Sequence, residues 1–301
     1  MSSIFSPGKL MLTSEYVALD GAAVLAVPTQ LGQEFSWEEI PDGKSQLVWN
    51  ALHQNKFWLN ICLNYKDWEI LETNLPQSAE FVVKTLRIVQ ELSVMRLHSD
   101  SSYSITTNLQ FPPDFGLGSS STLMNNLAEW AEIDAFELND RALGGSGYDI
   151  AVAKEKSAVL FRITKQGRTV QKLHYEPVFR DKLIFIHLNQ KQDSREGIRL
   201  YRSKEKSETF IHSFTEITKQ VLDCNTIETF SELMVLHEEK LSSFLGIPTV
   251  KEKYFKGCPS FVKSLGAWGG DFVMTSEFDG HEEWFSERGF STVFRWEEVI
   301  L

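Results

Sequence analysis

Between a half-buried strand and an amphipathic helix the chain runs Phe111-Pro112-Pro113-Asp114-Phe115-Gly116-Leu117-Gly118-Ser119-Ser120-Ser121. Before this segment Tyr103, Ile105, Thr107 and Leu109 alternate with polar neighbours, the period of a strand. After it Leu123, Met124, Leu127, Ala128 and Ala131 fall on one helical face, so a helix is predicted from Ser119. Two prolines and two glycines exclude regular structure in between. Glycines let backbone N–H groups crowd toward a ligand, and a helix start offers unpaired donors and a positive dipole end. Strand, glycine-rich turn and helix are together a recipe for holding polyphosphate. The serine hydroxyls can cap the helix or reach a metal that rides on the phosphates. A plain turn with serine caps accounts for the same residues. The pattern is not the common P-loop, because GxxxxGK[ST] is absent.

The surrounding pattern is mixed. Strands are predicted at 9–12 and 22–28, and a helix from Ser78 with Val82, Leu86, Val89 and Leu92 on its apolar face. A second glycine cluster, Gly144-Gly145-Ser146-Gly147, leads into Tyr148-Asp149, and strands follow near 158–163 and 169–173. Beyond Glu176-Pro177 a strand is predicted at 182–188, one long helix at 194–223 and another at 227–245. A third cluster, Leu265-Gly266-Ala267-Trp268-Gly269-Gly270-Asp271, turns into a strand, and a short helix at 282–288 and a last strand at 290–296 close the chain. Intermixed strands and helices indicate an α+β layer architecture. With 301 residues the chain exceeds one core of typical size. Two domains are expected, 1–178 and 179–301.

Composition narrows the partners. A formal net charge of −11 and the lack of a basic stripe argue against nucleic acid or an anionic membrane as partner. Cys62, Cys224 and Cys258 are odd in number and lack CxxC spacing, which argues against a disulfide framework or a cysteine zinc site and suits a reducing compartment. No apolar run approaches the roughly 20 residues that span a bilayer. The first residues do not read as a signal peptide. A cytoplasmic protein is expected, with the oligomeric state, a homodimer included, left open.

Taken singly, the remaining candidates are weak. Lys9 in Ser6-Pro7-Gly8-Lys9 reads as a surface charge, and Asp149 beside a glycine turn reads as a local cap as readily as a proton acceptor. Gly266 to Gly270 alone read as a hairpin or bulge. Their order is more specific. Ser-Pro-Gly-Lys, then Pro-x-x-x-Gly-Leu-Gly-Ser-Ser, then Ser-Gly-x-Asp, then Gly-Ala-x-Gly-Gly resembles the GHMP kinases over residues 4 to 275.

The resemblance implies a two-domain GHMP kinase fold: an N-terminal domain like the second domain of ribosomal protein S5, a ferredoxin-like C-terminal domain, and an active site between them. It implies ATP and Mg²⁺ as cofactors and a small-molecule acceptor. Pro112, Gly116, Leu117, Gly118, Ser119, Ser120 and Ser121 would hold the ATP phosphates, with Ser120 helping to bind Mg²⁺ together with a glutamate not identified. Lys9 would lie near the reacting groups, Asp149 would accept the substrate proton, and Gly266, Gly269 and Gly270 would shape the site. Glu129, Glu132 and Glu137 are the candidates for the metal glutamate, since the segment between Ser121 and Asp149 is shorter than in mevalonate kinases. Trp268 stands where relatives carry glycine, which is expected to crowd the phosphates or plug the cleft. Ser14-Glu15-Tyr16-Val17-Ala18-Leu19, Gly147-Tyr148-Asp149 and Gly269-Gly270-Asp271 resemble the mevalonate-pathway branch, the last of them, with Glu15-Tyr16 and Ser146-Gly147-Tyr148-Asp149, looking more like phosphomevalonate kinase; mevalonate is the expected acceptor, with phosphomevalonate the alternative. A phosphorylated substrate would draw on Arg141, Lys154 and Lys191, and Gln190 to Ser194 is the expected substrate-facing segment. A non-catalytic GHMP-fold binding or regulatory protein is the reading of another class, motivated by Trp268 and the missing glutamate.

Overall fold

The structure is a computed structural model that describes residues 2–189, 194–266, 268 and 270–301. In chain order the elements are β1 (Ser2–Met11), β2 (Val24–Ile40), β3 (Gln46–His53), β4 (Lys56–Asn64), β5 (Glu69–Thr73), α1 (Pro76–Leu92), β6 (Ser102–Leu109), α2 (Ser119–Ala131), α3 (Ala135–Ala142) and α4 (Tyr148–Glu155). There follow β7 (Ala158–Thr164), β8 (Gly167–Leu173), β9 (Leu183–His187), α5 (Ser194–Arg202), α6 (Glu208–Asp223), α7 (Ile227–Leu245) and α8 (Val250–Tyr254). The chain ends with β10 (Lys263–Leu265), β11 (Phe272–Ser276), α9 (His281–Ser286), β12 (Val293–Arg295) and α10 (Trp296–Val299). By contacts these segments form two compact units. One comprises residues 1–8, 31–113 and 117–156, the other residues 9–30, 114–116 and 157–301.

In the first unit the strands lie in the order β5-β4-β3-β6-β2. β3 and β6 run parallel, and the other pairs are antiparallel. The β3–β4 hairpin turns on Gln54 and Asn55, both left-handed with φ of 49° and 62°. Two consecutive residues of that kind make the type I′ turn whose twist suits a hairpin. Asn55 is held there by its N–H donating to the Asn108 side chain at 3.0 Å. Along β3 Leu47, Trp49 and Ala51 are buried and their neighbours only partly so, which leaves one face for the helices. α1 opens on Pro76, whose fixed φ suits a first helical turn, and buries Val82, Leu86 and Val89. α2 buries Met124, Leu127, Ala128 and Ala131 in the same core, around Phe35, Trp49, Tyr103 and Trp130.

A polar layer interrupts that core beside the start of α2. Ser6 donates to Asn126 Oδ1 at 2.7 Å and accepts from Asn125 Nδ2 at 2.9 Å, and Asn126 Nδ2 donates to the Gln33 carbonyl at 3.0 Å. All four residues are buried, and each hydrogen bond offsets the cost of burying its polar groups.

In the second unit the first residues of β2 pair with β7 and β7 with β8, and a separate sheet has the order β10-β11-β9-β12. All five residues of β9 are buried, as in a central strand. The predicted single helix over 194–223 is instead two, α5 and α6, separated at residues 203–207. Ser207 caps the second, accepting from the Phe210 N–H at 3.1 Å, and a new cap begins a new helix. Among the described residues no helix is long and apolar enough to cross a membrane.

Candidate functional site

The glycine–serine segment has the geometry its composition predicts. Gly116 and Gly118 have φ of 67° and 86°, a region costly for residues with a Cβ. Gly118 is the residue before α2, and no side chain caps the helix there. The Ser121 hydroxyl donates to the Gly118 carbonyl at 2.8 Å and leaves the first-turn N–H groups of the helix without a side-chain acceptor. Leu117 is buried and anchors the turn, whereas Ser119 is half-buried and Ser120 exposed at the second helical position. Open N–H donors, a positive dipole end and an exposed hydroxyl make this helix start able to hold an anion.

In the second unit Lys9 is 8% exposed and its Nζ donates to the Gly116 carbonyl at 2.8 Å. It is therefore a buried cation fixed on the loop, not the surface charge that a lone lysine suggests. Gly116 also faces Asp271, whose carboxylate lies where a Cβ on Gly116 would stand. Gly266 is left-handed at 87° near the same carboxylate, and Gly270 is buried. Gly269 lies outside the described residues. The Phe115 ring packs against His187 at 4.5 Å and Phe272 at 5.2 Å, so the loop's second-unit residues rest on β9 and β11.

Trp268 packs into the core of the second unit. It is 7% exposed, lies in an apolar cluster with Tyr16, Tyr201, Phe214 and Leu241, and its indole N–H donates to the Pro248 carbonyl at 3.1 Å. Its backbone N–H donates to the Tyr16 hydroxyl at 2.8 Å, so the tyrosine and the tryptophan are partners.

Beneath Tyr16 lies a buried ionic cluster. Lys263 Nζ donates to Glu15 Oε1 and sits 3.2 Å from Glu238 Oε1, and His237 Nε2 is 3.1 Å from Glu15 Oε2. The Ser14 N–H donates to that same Nε2 at 2.8 Å, so the imidazole proton belongs on Nδ1 and the ring is neutral. Burial pushes the Glu15 carboxyl up and holds His237 well below the usual histidine range, with the Lys263 charge adding to the histidine's shift. Burial likewise pushes Glu238 up to about 7 against the attraction of Lys263.

Asp149 stands in the first turn of α4, after the left-handed Gly147, half-buried, and its Oδ1 accepts from the Ile150 N–H at 3.0 Å. α4 packs against α2, with Asn125 Nδ2 donating to the Ala153 carbonyl at 3.4 Å. The glutamates considered for a metal lie elsewhere. Glu129 is nine positions beyond Ser120, about 13 Å along the helix at 1.5 Å per residue. It is exposed and pairs with Lys156 at 3.5 Å. Glu132 is the exposed C-cap of α2, and exposed Glu137 donates its N–H to the Asp134 side chain. Among the described residues no group of three or more His, Cys, Asp or Glu side chains could hold a metal ion. Two of the cations suggested for a phosphorylated substrate are tied to surface carboxylates, Arg141 to Glu91 and Lys154 to Asp134 at 3.7 Å. Lys191 and Gln190 to Asp193 lie outside the described residues, and α5 begins at Ser194.

Beside Ser119 and Ser120 the first unit has a cavity of about 450 Å³, in the range of ligand pockets. Strand register builds its floor. Gln33 pairs with Leu109 and Leu109 with His53, a row across β2, β6 and β3. The Trp49 and Trp58 side chains line it from β3 and β4, and the His53 ring stacks on Trp58 with centroids 4.5 Å apart. Phe81 and Val82 enclose it from the first turns of α1, and Leu123 from α2. A cavity lined by aromatic side chains and bordered by the start of α2 suits a planar heteroaromatic group.

No family model matches the chain, and no curated protein matches it by sequence. Solved structures do match over nearly its whole length. The mevalonate kinase of Methanococcus jannaschii superposes with a TM-score of 0.69 at 16% identity, covering 97% of this chain and 96% of that one. The phosphomevalonate kinase of Streptococcus pneumoniae, in complex with phosphomevalonate and AMPPNP, gives 0.70 at 15% identity over 98% of this chain and 100% of that one. The galactokinase of Lactococcus lactis, complexed with galactose, gives 0.66 at 13% identity over 95% and 88%. The chain has the GHMP-kinase fold.

Within that fold, the cavity residues to which the sequence gives no pointer are Gln33 and Phe81. On sequence the stretch Trp49–Trp58 reads as aromatic surface for a base or, more readily, as core. The structure places Trp49 in both roles, 2% exposed and lining the cavity. The available signal was the alternation of Leu47, Trp49, Ala51 and His53, which puts a histidine in line with three core residues.

Proposed function

We propose that the protein transfers the γ-phosphoryl group of ATP to a small metabolite, with mevalonate the acceptor and isoprenoid precursor synthesis the setting. The observation that carries this reading is the uncapped start of α2 at Ser119–Ser120, which borders an aromatic cavity shaped for a base. Phosphoryl transfer asks the protein mainly for positioning and charge neutralisation. The N–H groups from Gly116 to Ser121 would receive the phosphates, the base would lie between Trp58 and the first turn of α1, and Lys9 would supply positive charge. Asp149 would take the proton of the attacking hydroxyl. Gly266, Gly269 and Gly270 would shape the site, as the resemblance implies.

Magnesium fits in part. The exposed Ser120 hydroxyl suits a hard-cation ligand, and Mg²⁺ keeps few protein ligands beside phosphates and waters. None of the three glutamates stands near that hydroxyl, so the nucleotide would bring most of the coordination. When bound, the ion supplies neutralisation of phosphate charge. The three cysteines are free thiols, as a cytoplasmic location would keep them.

Incubation with Mg-ATP and mevalonate, phosphomevalonate, galactose or homoserine in parallel tests the reading. ADP release with mevalonate is expected. Release with phosphomevalonate alone would assign the alternative acceptor, to which the Gly270-Asp271 pair leans. Tight nucleotide binding without ADP release from any of the four would favour a binding or regulatory protein.

A further inference from the structure

The cavity beside Ser119 has a polar residue on its floor whose orientation is fixed by a proton count. Gln33 is 8% exposed and lines the cavity from β2. One end of its amide lies 3.1 Å from the Thr122 hydroxyl. That hydroxyl, fully buried, also lies 2.9 Å from the Ser119 carbonyl. A threonine hydroxyl has one proton, and a carbonyl can only accept. An oxygen–oxygen contact of 2.9 Å without a proton between is repulsive, so the Thr122 proton points at Ser119. The hydroxyl then presents a lone pair to Gln33, and only the amide NH₂ can satisfy it. Oxygen and nitrogen of an amide are told apart by such networks. The NH₂ end therefore faces Thr122, and Oε1 faces the cavity as an acceptor. None of the described residues takes that end of the amide. Behind it the Gln33 carbonyl is clamped by Asn126 Nδ2 at 3.0 Å, and Asn126 in turn by Ser6. A residue held at its backbone and at one end of its side chain cannot turn its free end away.

From this geometry we infer that Gln33 is a specificity residue that reads an exocyclic amine on the bound base, accepting its N–H and rejecting a carbonyl in the same place. The inference rests on the proposed nucleotide site and adds to it the residue that tells an aminopurine from an oxopurine. Thr122 is the positioning residue that sets the amide, and its link to the Ser119 carbonyl ties base reading to the start of α2.

Equilibrium binding of three triphosphates tests it without any acceptor: ATP, purine riboside triphosphate, which lacks the amine, and ITP, which has a carbonyl there. The wild-type chain should bind ATP about tenfold more tightly than the amine-free analogue, the worth of one hydrogen bond to a buried acceptor, and ITP more weakly still. Gln33→Met keeps the length and removes the acceptor, so it should bring the three nucleotides within about twofold, by the same reasoning. Thr122→Val keeps the shape and frees the amide to flip, so ATP and ITP should converge while Gln33 remains. An equal wild-type affinity for ATP and its amine-free analogue overturns the inference and leaves the nucleotide site standing. So does an undiminished preference in Gln33→Met. Failure of the wild-type chain to bind any of the three overturns the functional reading itself. Should Gln33→Met fail to fold, the wild-type comparison and Thr122→Val decide.

Discussion

At the scale of single residues, the proposed roles separate by what each substitution should leave intact. Asp149 is not among the residues that line the cavity beside Ser119, and its carboxylate accepts from the adjacent Ile150 N–H. Asp149→Asn should lower turnover about 10²- to 10⁴-fold, the usual worth of a positioned base, with nucleotide affinity little changed. Turnover within a factor of two of wild type would remove Asp149 from the mechanism. Gly116 is a different kind of residue. Its φ of 67° and the Asp271 carboxylate both exclude a Cβ. Gly116→Ala should cost about 1–3 kcal/mol in stability and weaken ATP binding measurably. Asp271→Ser should relieve the clash but not the backbone strain, so the double variant should recover part of the loss, and strict additivity would show that the two do not meet. Lys9, Ser120 and Asp149 can be proposed from the sequence because short local motifs carry them. Gln33 cannot, because its meaning depends on a hydroxyl 89 positions away. Trp268 was misjudged for the same reason: its neighbours Tyr16 and Pro248 are distant in sequence, and only packing shows that the indole points into the core.

At the scale of elements, strong periodicity was read correctly and polar interruptions were not. α1, β6, α2 and α7 follow from apolar spacing alone. β3, β4 and β5, by contrast, went unassigned, because their outward residues include Lys56, Asn60 and Glu72 and no glycine pair marks the hairpin. Gln54 and Asn55 make the turn with two side chains in the left-handed region, where Asn is tolerated and Gln unusual. The break between α5 and α6 falls in Ser203-Lys204-Glu205-Lys206-Ser207, a run that also fits the wet face of a longer helix. The cap decides it. Ser207→Ala should destabilise the chain by about 1 kcal/mol through loss of the N-cap bond to Phe210. Ser207→Asp should retain it, since a carboxylate caps as well and favours the helix dipole. Thermal midpoints of the two variants should therefore differ, and equal midpoints would show that residues 203–207 are held by other contacts.

At the scale of the whole molecule, the order of four glycine-bearing motifs was enough to indicate the fold, although identity to solved structures of that fold is only 13–18% in the comparisons. Fold survives at that distance because it needs apolar faces in the right order. The grouping of contacts is interleaved along the chain, which no shift in composition records. The ionic cluster was likewise invisible: Glu15, His237, Glu238 and Lys263 are ordinary charged letters in the sequence and reach 0–2% exposure in the fold. Such a cluster makes stability depend on pH with a definite sign. Glu238 has a folded-state pKa raised from 4.5 to about 7, with burial the leading cause. The native state thus binds this proton more tightly than the unfolded chain, so the contribution is full below pH 4.5 and is lost as pH rises through 7. His237 works the other way, its neutral form being favoured by burial, so its share is present above pH 6.5 and is lost as pH falls. Glu238→Gln isolates the first effect by fixing the protonated shape. Relative to wild type, the glutamine variant should gain roughly 3–4 kcal/mol between pH 3.5 and pH 8, from 2.5 pKa units at about 1.4 kcal/mol each. Denaturant midpoints of the two proteins across that range measure the difference. A gap that stays flat, or that closes toward alkaline pH, would mean that Lys263 keeps Glu238 ionised throughout and that the cluster is a plain buried salt bridge.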